Sequence, residues 1–289
     1  MDDNSRSKQP VRLAFPPGHF YSPIVDPDQA ADFLQKIASD ICSLPSIALN
    51  REAMVTLWRS FSAFVNKKPF HDLETEGHIY WFMNPHFSYG DATLLYCMLR
   101  HFLPNRVIEI GSGYSSACMI ETADRFISSQ ISFTFIDPDL RLFHKVLHKY
   151  KKRTHNGIVT LEQNVQEAPL SIFSSLNSGD ILFIDSTHVL KTGSDVCFEL
   201  FKVMPVLKSG VIIHFHDIFW PFEYGKEWAI DENRSWNETY AIRAFLSYNE
   251  QFEIVFFNDF FGKFHTREIE ATAPWVLKNT GGSLWLRRC

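Results

Sequence analysis

The spacing of hydrophobic residues changes near residue 105 of the chain. Before that point, apolar residues recur every three or four positions in three stretches, which is the spacing of amphipathic helices. These stretches cover residues 28–43, 51–66 and 91–102. We expect Asp91 to cap the third helix and Pro104 to close it. Residues 1–27 are polar and interrupted by prolines, which predicts an irregular arm.

From residue 105 onward, short continuous apolar runs alternate with helical stretches. Fully apolar strands between helices indicate a parallel sheet that helices cover on both faces, and right-handed crossovers make such a sheet doubly wound. The predicted strands are Val107–Ile110, Ile131–Ile136, Ile158–Leu161, Ile181–Ile184, Val211–Phe215, Phe252–Phe257 and Leu284–Leu286. Residues 258–281 lack a clear helical period, so an antiparallel final strand fits there. The pattern predicts a Rossmann-like, doubly wound, seven-stranded α/β sheet in residues 91–289, with residues 1–90 as an arm and helical extension.

The composition indicates a soluble protein with one substantial core. The chain has 289 residues, 45% of them hydrophobic, and a formal net charge of −5. This balance gives no sign of bulk nucleic-acid affinity, and no apolar run approaches the ~18 residues of a membrane span. The first residues lack an apolar signal core, and the five scattered cysteines form no C-x-x-C pair. We therefore expect a cytoplasmic protein with free thiols and with no nucleic-acid or membrane partner.

A glycine-containing turn follows the first predicted strand. Gly111 and Gly113 allow a sharp turn and a close approach of a ligand, and the next helix offers free N–H groups at its start. Ser116 stands where a dinucleotide-binding turn would have its third glycine, which counts against a nicotinamide cofactor. Glu109, two residues before the turn, suits a cationic ligand such as S-adenosylmethionine, which carries an ammonium and a sulfonium.

Polar residues also end the second and third strands. Asp137 lies 24 residues after Gly113, at the spacing of the acid that binds ribose hydroxyls in nucleoside-binding units. Asn164 and Gln166 follow the third strand and could contact an adenine edge, or they could belong to a solvated loop.

Two acids and two histidines end the fourth and fifth strands: Asp185, His188, His216 and Asp217. Because adjacent strands lie about 4.8 Å apart, these side chains should converge at one edge of the sheet. His188 or His216 could act as a general base. Alternatively, Asp185, His216 and Asp217 could hold a divalent cation. His214, inside the fifth strand, suits a core position. The aromatic residues 220–228 suit a phenolic or sugar-like substrate, although core packing also explains them.

Four segments together resemble the class I S-adenosylmethionine-dependent methyltransferases. They are EIGSGYSS, FIDPD, ILFIDSTHVLKTGSD and SGVIIHFHDIFWPFEY, and they resemble the subgroup with ID-x-x-H after strand four and HD after strand five. The resemblance implies a cofactor site formed by Glu109, Gly111, Ser112, Gly113, Tyr114, Ser115, Asp137, Asn164, Gln166 and Asp185. It implies that Asp185, His188, His216 and Asp217 line the acceptor site, where metal-using relatives have acidic or amide ligands.

The expected reaction is in-line transfer of the sulfonium methyl group to a hydroxyl oxygen of a small-molecule or glycan acceptor. Three alternatives stay open: a nicotinamide-dependent oxidoreductase, a metal-dependent oxygenase-like relative on the same sheet, and a non-catalytic module that only binds the cofactor. The sequence also leaves open a homo-oligomer, the use of a divalent metal and the identity of the acceptor.

Overall fold

The computed structural model describes residues 12–37, 41–128, 130–148 and 157–289. The chain divides into two compact units. The smaller unit combines Met1–Asp40 with Tyr224–Trp236, and the larger one combines Ile41–Glu223 with Asn237–Cys289. The predicted division of the chain at residue 90 stays a prediction.

The larger unit contains a single seven-stranded sheet whose strand order is β3-β2-β1-β4-β5-β7-β6. The strands are β1 Arg106–Ile110, β2 Ser132–Ile136, β3 Ile158–Leu161, β4 Ile181–Ile184, β5 Ile212–Phe215, β6 Phe252–Phe257 and β7 Leu284–Arg288. Strand β7 runs antiparallel to both of its neighbours, and the pairs β1–β2, β1–β4, β2–β3 and β4–β5 are parallel. All seven predicted strands and the doubly wound fold are therefore confirmed.

Burial explains why the central strands are continuously apolar. Every residue of β4 and β5 is buried, and only the first residue of β1 is exposed. Strands covered on both faces cannot alternate between apolar and polar positions. The strand order reverses between β1 and β4, and ligands of such sheets bind outside the strand ends at that switch point.

Ten α-helices lie among the described residues. They are α1 Pro27–Leu34, α2 Arg51–Ser60, α3 Tyr89–Phe102, α4 Tyr114–Phe126, α5 Arg141–Leu147, α6 Leu170–Ser174, α7 Asp195–Phe198, α8 Glu238–Leu246, α9 Asn258–Phe264 and α10 Thr266–Thr272. No helix in these parts of the chain is long and apolar enough to cross a membrane.

One predicted helix is shorter than expected, and two short helices had no signal in the sequence. The first predicted helix, residues 28–43, ends at Leu34 because α1 buries none of its residues, and packing of an apolar face is what normally sustains a helix. Residues 258–281, which lack a clear helical period in sequence, nevertheless contain α9 and α10. These two helices have only seven residues each, too few to display a helical period in sequence.

In the smaller unit, a cation–π stack joins residues of its second segment. The Arg234 guanidinium carbon lies 4.2 Å from the ring centroid of Trp228 and 4.5 Å from that of Trp236. The N–H of Val25 donates to Ser235 Oγ over 3.2 Å, which ties the N-terminal segment to this stack. The unit is therefore held together by aromatic packing and a few hydrogen bonds.

We predict that Gly111→Ala destabilises the fold much more than Gly193→Ala. Both glycines have positive φ, +80° and +76°, so both substitutions cost about 1–2 kcal/mol of left-handed backbone strain. An added Cβ at Gly111 would lie 1.9 Å from the carbonyl oxygen of Asp185, whereas nothing lies within 4 Å of one at Gly193. Gly111→Ala should therefore lose roughly 1–3 kcal/mol more, as overpacked sites do. Urea unfolding of both variants measures the difference, and equal losses would contradict the close approach of β1 and β4.

Candidate active site

The glycine turn joins β1 to α4 at the carboxyl edge of the sheet. Gly111 begins the turn in the left-handed region, and Gly113 occupies the N-cap position of α4. The N–H of Asp185, the residue after β4, donates to the carbonyl oxygen of Ile110 over 2.9 Å. The turn and the end of β4 are therefore in backbone contact, which brings the predicted cofactor turn next to the predicted acceptor residues.

Glu109 is buried beneath this turn, and both of its carboxylate oxygens have partners. The hydroxyls of Ser115 and Ser116, in the first turn of α4, donate to the two oxygens. Burial raises the pKa of Glu109 to about 8, against the opposing effect of the serine hydroxyls. The carboxyl group thus anchors the start of α4.

Asp137, at the end of β2, holds the glycine turn from the other side. Its Oδ2 accepts hydrogen bonds from the Ser112 backbone N–H over 2.8 Å and from the Ser112 hydroxyl over 3.2 Å. Its Oδ1 accepts from the backbone N–H of Asp139 over 2.8 Å. Asp139 itself is exposed and pairs with Arg141. Asp137 therefore joins the turn after β1 to the turn after β2.

Asn164 and Gln166 are exposed in the segment after β3. Asn164 Nδ2 donates to Glu167 Oε1 over 3.3 Å, and Gln166 Nε2 donates to the carbonyl oxygen of Gly193 over 2.9 Å. Tyr114, the first residue of α4, packs against the ring of Trp81 at 5.5 Å. The contacts of these residues with a cofactor stay predictions.

The four residues predicted after β4 and β5 do converge. His188 Nε2 lies 3.6 Å from Asp185 Oδ1 and 3.5 Å from Asp217 Oδ2. His216 Nε2 lies 3.5 Å from Asp217 Oδ1. Both histidines are buried, whereas the side chains of Asp185 and Asp217 are 31% and 19% exposed, so the acids are the solvent-accessible members of the cluster.

Three members of this cluster have the chemistry of a cation site. One ligand atom each from Asp185, His216 and Asp217 lie within 4.8 Å of one another. Among the described residues, the other ring nitrogen of His216, Nδ1, is buried without a hydrogen-bond partner. Two carboxylates and one imidazole fit a divalent cation such as Mn²⁺ or Mg²⁺.

The backbone at two of these residues is strained. His188 has a φ of +61° and Asp217 a φ of +57°, in the left-handed region that non-glycine residues rarely adopt. Such conformations cost on the order of 1–3 kcal/mol each and concentrate at functional sites.

The acids of the cluster control the charge of both imidazoles. Burial alone would lower the pKa of His216, but Asp185, Asp217 and Asp91 outweigh it and raise the pKa to about 9. Burial also opposes protonation of His188, yet Glu238, Asp185 and Asp217 raise its pKa. The cluster therefore stabilises positive charge, either protons or a metal cation.

Asp91 also belongs to this region, and the prediction that it caps a helix is wrong. It was expected to cap α3, but α3 begins at Tyr89, and the Asp91 carboxylate is buried. Asp91 Oδ1 accepts from the Ser283 hydroxyl over 2.5 Å and from Asn258 Nδ2 over 3.3 Å. These partners come from the antiparallel end of the sheet, so helix-start patterns could not reveal them. Burial raises the pKa of Asp91 to about 6, and the charge of His216 opposes this increase.

His214 is a core residue, as expected. Its ring stacks on Phe183 with a centroid separation of 3.7 Å, and its Nε2 is 2.9 Å from the Ser283 hydroxyl oxygen. Burial holds the pKa of His214 well below its ordinary value. Trp220 and Phe222 are buried as well, so these two aromatic residues serve core packing.

Two neighbours of the histidines had no signal in the sequence. Phe87 packs on the ring of His216 with centroids 5.3 Å apart, and Asn84 Oδ1 fixes it by accepting from the Phe87 N–H. Glu238 Oε2 lies 2.7 Å from His188 Nδ1. Glu238 is in the first turn of α8, where an acid is ordinary helix chemistry.

Comparisons with known proteins agree with the methyltransferase resemblance. Residues 108–218 match the family described as "Methyltransferase domain", which confirms the resemblance to class I methyltransferases. An uncharacterized protein from Archaeoglobus fulgidus is 29% identical over 181 residues, covering 59% of this chain and 77% of that protein. Two solved structures are similar at low identity. One is the SAH-bound Podospora anserina methyltransferase PaMTH1 (13% identity, TM-score 0.43, 91% and 96% of the two chains). The other is the Streptomyces achromogenes O-methyltransferase TomG in complex with SAM (11% identity, TM-score 0.44, 90% and 96% of the two chains).

We predict that Glu109→Gln removes part of the pH dependence of stability. The folded pKa of about 8 lies above the ordinary value of 4.5, so between these pH values the folded protein keeps a proton that the unfolded chain has lost. Stability contributed by protonated Glu109 is therefore complete below pH 4.5 and is lost as the pH rises towards 8. Urea unfolding between those pH values should show the wild type losing stability relative to Glu109→Gln.

The exposed Glu162 provides the matched control for this experiment. Glu162→Gln should keep the pH dependence of the wild type, since its carboxyl group is solvated in both states. If the curves of the wild type and Glu109→Gln run parallel, the buried carboxyl does not titrate as described.

Proposed function

We propose, on the premise that residues 108–218 form a methyltransferase domain, that the chain transfers a methyl group from S-adenosylmethionine to a hydroxyl oxygen. The acceptor that fits this proposal is a small molecule or a sugar-like compound. One observation carries the proposal: Asp185, His188, His216 and Asp217 converge beside the glycine turn after β1. This is the edge at which a doubly wound sheet binds its ligands.

The glycine turn favours a nucleoside cofactor over a nicotinamide dinucleotide. The Ser116 hydroxyl occupies the place of the third glycine, where it accepts from the Gly113 N–H over 3.0 Å and donates to Glu109. In dinucleotide-binding turns the third glycine allows the helix to pack closely on the strand, and a serine side chain at this place departs from that pattern. We assign Asp137 to the ribose hydroxyls, and the turn with Asp185 to the cationic methionine end.

His188 is the general base of the proposed reaction. The acceptor oxygen attacks the methyl carbon in line, so that a C–O bond forms while the C–S bond breaks and S-adenosylhomocysteine leaves. The hydroxyl proton passes to His188 Nε2, and Asp185 and Asp217 stabilise the imidazolium that forms. The remaining tasks of the chain are orientation of the two reactants and exclusion of water.

A divalent cation fits Asp185, His216 and Asp217, which would hold it. Such an ion, when bound, lowers the pKa of a coordinated hydroxyl group. In this assignment the two histidines have different tasks: His216 is a ligand and His188 accepts the proton.

The cofactor assignment predicts binding of S-adenosylhomocysteine that depends on Asp137. Calorimetric titration should show micromolar binding to the wild-type protein and a loss of at least about tenfold in Asp137→Ala, since a hydrogen bond to a charged group contributes roughly 1.5–3 kcal/mol. Asp139→Ala is the control, because Asp139 is an exposed carboxylate two residues away. Absence of binding to the wild type would overturn the methyltransferase proposal.

Because His216 is assigned as a metal ligand and His188 as the base, replacing His216 should weaken metal binding and replacing His188 should not. Titration with Mn²⁺, followed by electron paramagnetic resonance, should give an affinity at least about tenfold lower in His216→Ala and Asp217→Ala. His188→Ala should keep the wild-type affinity for Mn²⁺ but lose turnover in a screen of methyl glycosides and catechols. A wild-type protein that binds no Mn²⁺ contradicts the cation site, and full turnover in His188→Ala contradicts the base assignment.

A further inference from the structure

A second layer of acids lies behind the imidazole of His188. Glu238, at the start of α8, and Glu199, in a π-helical turn at Glu199–Val203, are both buried, with 1% and 0% of their surface exposed. Single π-helical turns are frequent at functional sites. Neither acid is among the residues to which the cofactor or the acceptor was assigned.

The loop after β4 is attached to the start of α8 at several points. The carbonyl oxygen of His188 accepts from the N–H groups of Asn237 and Glu238 over 3.2 and 3.1 Å. The Asn237 side chain accepts from the Leu190 N–H over 2.6 Å and donates to the Leu190 carbonyl oxygen over 3.2 Å. These bonds fix the His188 backbone.

Glu238 also contacts the ring of His188. Glu238 Oε2 lies 2.7 Å from His188 Nδ1, and both side chains are almost completely buried. With Nδ1 occupied by an acceptor, Nε2 faces Asp185 and Asp217. An acid in the first turn of a helix stabilises the helix equally well on its solvated face. Burying Glu238 costs free energy that only a charge-assisted partner can offset.

We infer that Glu238 is the positioning residue of His188: it accepts a hydrogen bond from Nδ1–H and so directs Nε2 towards the acceptor side. This assignment rests on the proposed function only in naming His188 as the base. The contact itself fixes the ring orientation whatever the acceptor is.

Comparison with Glu199, the other buried acid, supports the positioning role of Glu238. Burial raises the pKa of both carboxyl groups, and the negative charge of Glu238 raises the pKa of Glu199 further. Only Glu238 has an imidazole against it, which acts in the opposite direction. Of the two carboxyl groups, it is therefore the charge of Glu238 that His188 stabilises, whereas Glu199 Oε2 accepts from the Ser186 hydroxyl over 3.1 Å.

Proton NMR can detect this contact without any substrate. A buried Nδ1–H that donates to a carboxylate gives a slowly exchanging resonance at low field, and His188→Asn identifies the one that belongs to His188. We expect the partly buried His78, whose Nδ1 lies 2.5 Å from Glu121 Oε1, to give a second low-field resonance, which reports that the rest of the fold is intact. We expect Glu238→Ala to lose the His188 resonance and keep that of His78.

Glu238→Gln is the conservative variant, because its amide oxygen still accepts a hydrogen bond but carries no charge. We expect this variant to keep the His188 resonance and shift it upfield. If the resonance is unchanged in either variant, the positioning role is wrong. If Glu238→Ala does not fold, so that both resonances are lost, the shift in Glu238→Gln decides the question. Titration of the wild type with S-adenosylhomocysteine is independent, since its failure overturns the proposed function but not the contact.

Discussion

The ends of β1 and β4 meet through their backbones, and the site depends on that contact. The Asp185 N–H bonds the carbonyl oxygen of Ile110, and the Asp185 carbonyl oxygen lies where a Cβ of residue 111 would be. Only glycine allows both the positive φ and this approach. The contact brings the turn that begins α4 together with the first acid of the cluster. Every assignment of a cofactor and an acceptor to neighbouring places follows from it.

The charges at this edge are arranged in layers. Asp185 and Asp217 are partly exposed, His188 and His216 are buried next to them, and Glu238 and Asp91 are also buried. Buried acids of this kind are costly unless cations or hydrogen bonds compensate them. Each imidazole is therefore enclosed by carboxylates, and the left-handed backbone at His188 and Asp217 is held by surrounding contacts. The arrangement stabilises positive charge at the place to which the proposed reaction delivers the acceptor proton.

Much of the site could be predicted from sequence because parallel strands end at one edge. Residues that follow β1, β2, β4 and β5 must lie along that edge once the strand order is known, so Gly111, Asp137, Asp185 and His216 were found by position alone. Residues from elsewhere carry no such signal. Glu238 resembles an ordinary acid at a helix start, Asp91 resembles a helix cap, and Phe87 resembles any core aromatic residue. Their roles come from contacts with residues 50 or more positions away.

The sequence by itself determined the seven strands, the doubly wound sheet and the methyltransferase resemblance, because burial on both faces demands continuous apolar runs and because the motifs follow those runs directly. Only the tertiary structure decided which side chains meet. It gave the two histidines different partners: His188 contacts Glu238, and His216 lies with Asp185 and Asp217 in the candidate cation site. Sequence spacing specifies the edge on which a side chain lies, whereas ring orientation, burial and charge depend on long-range packing, which no local pattern records.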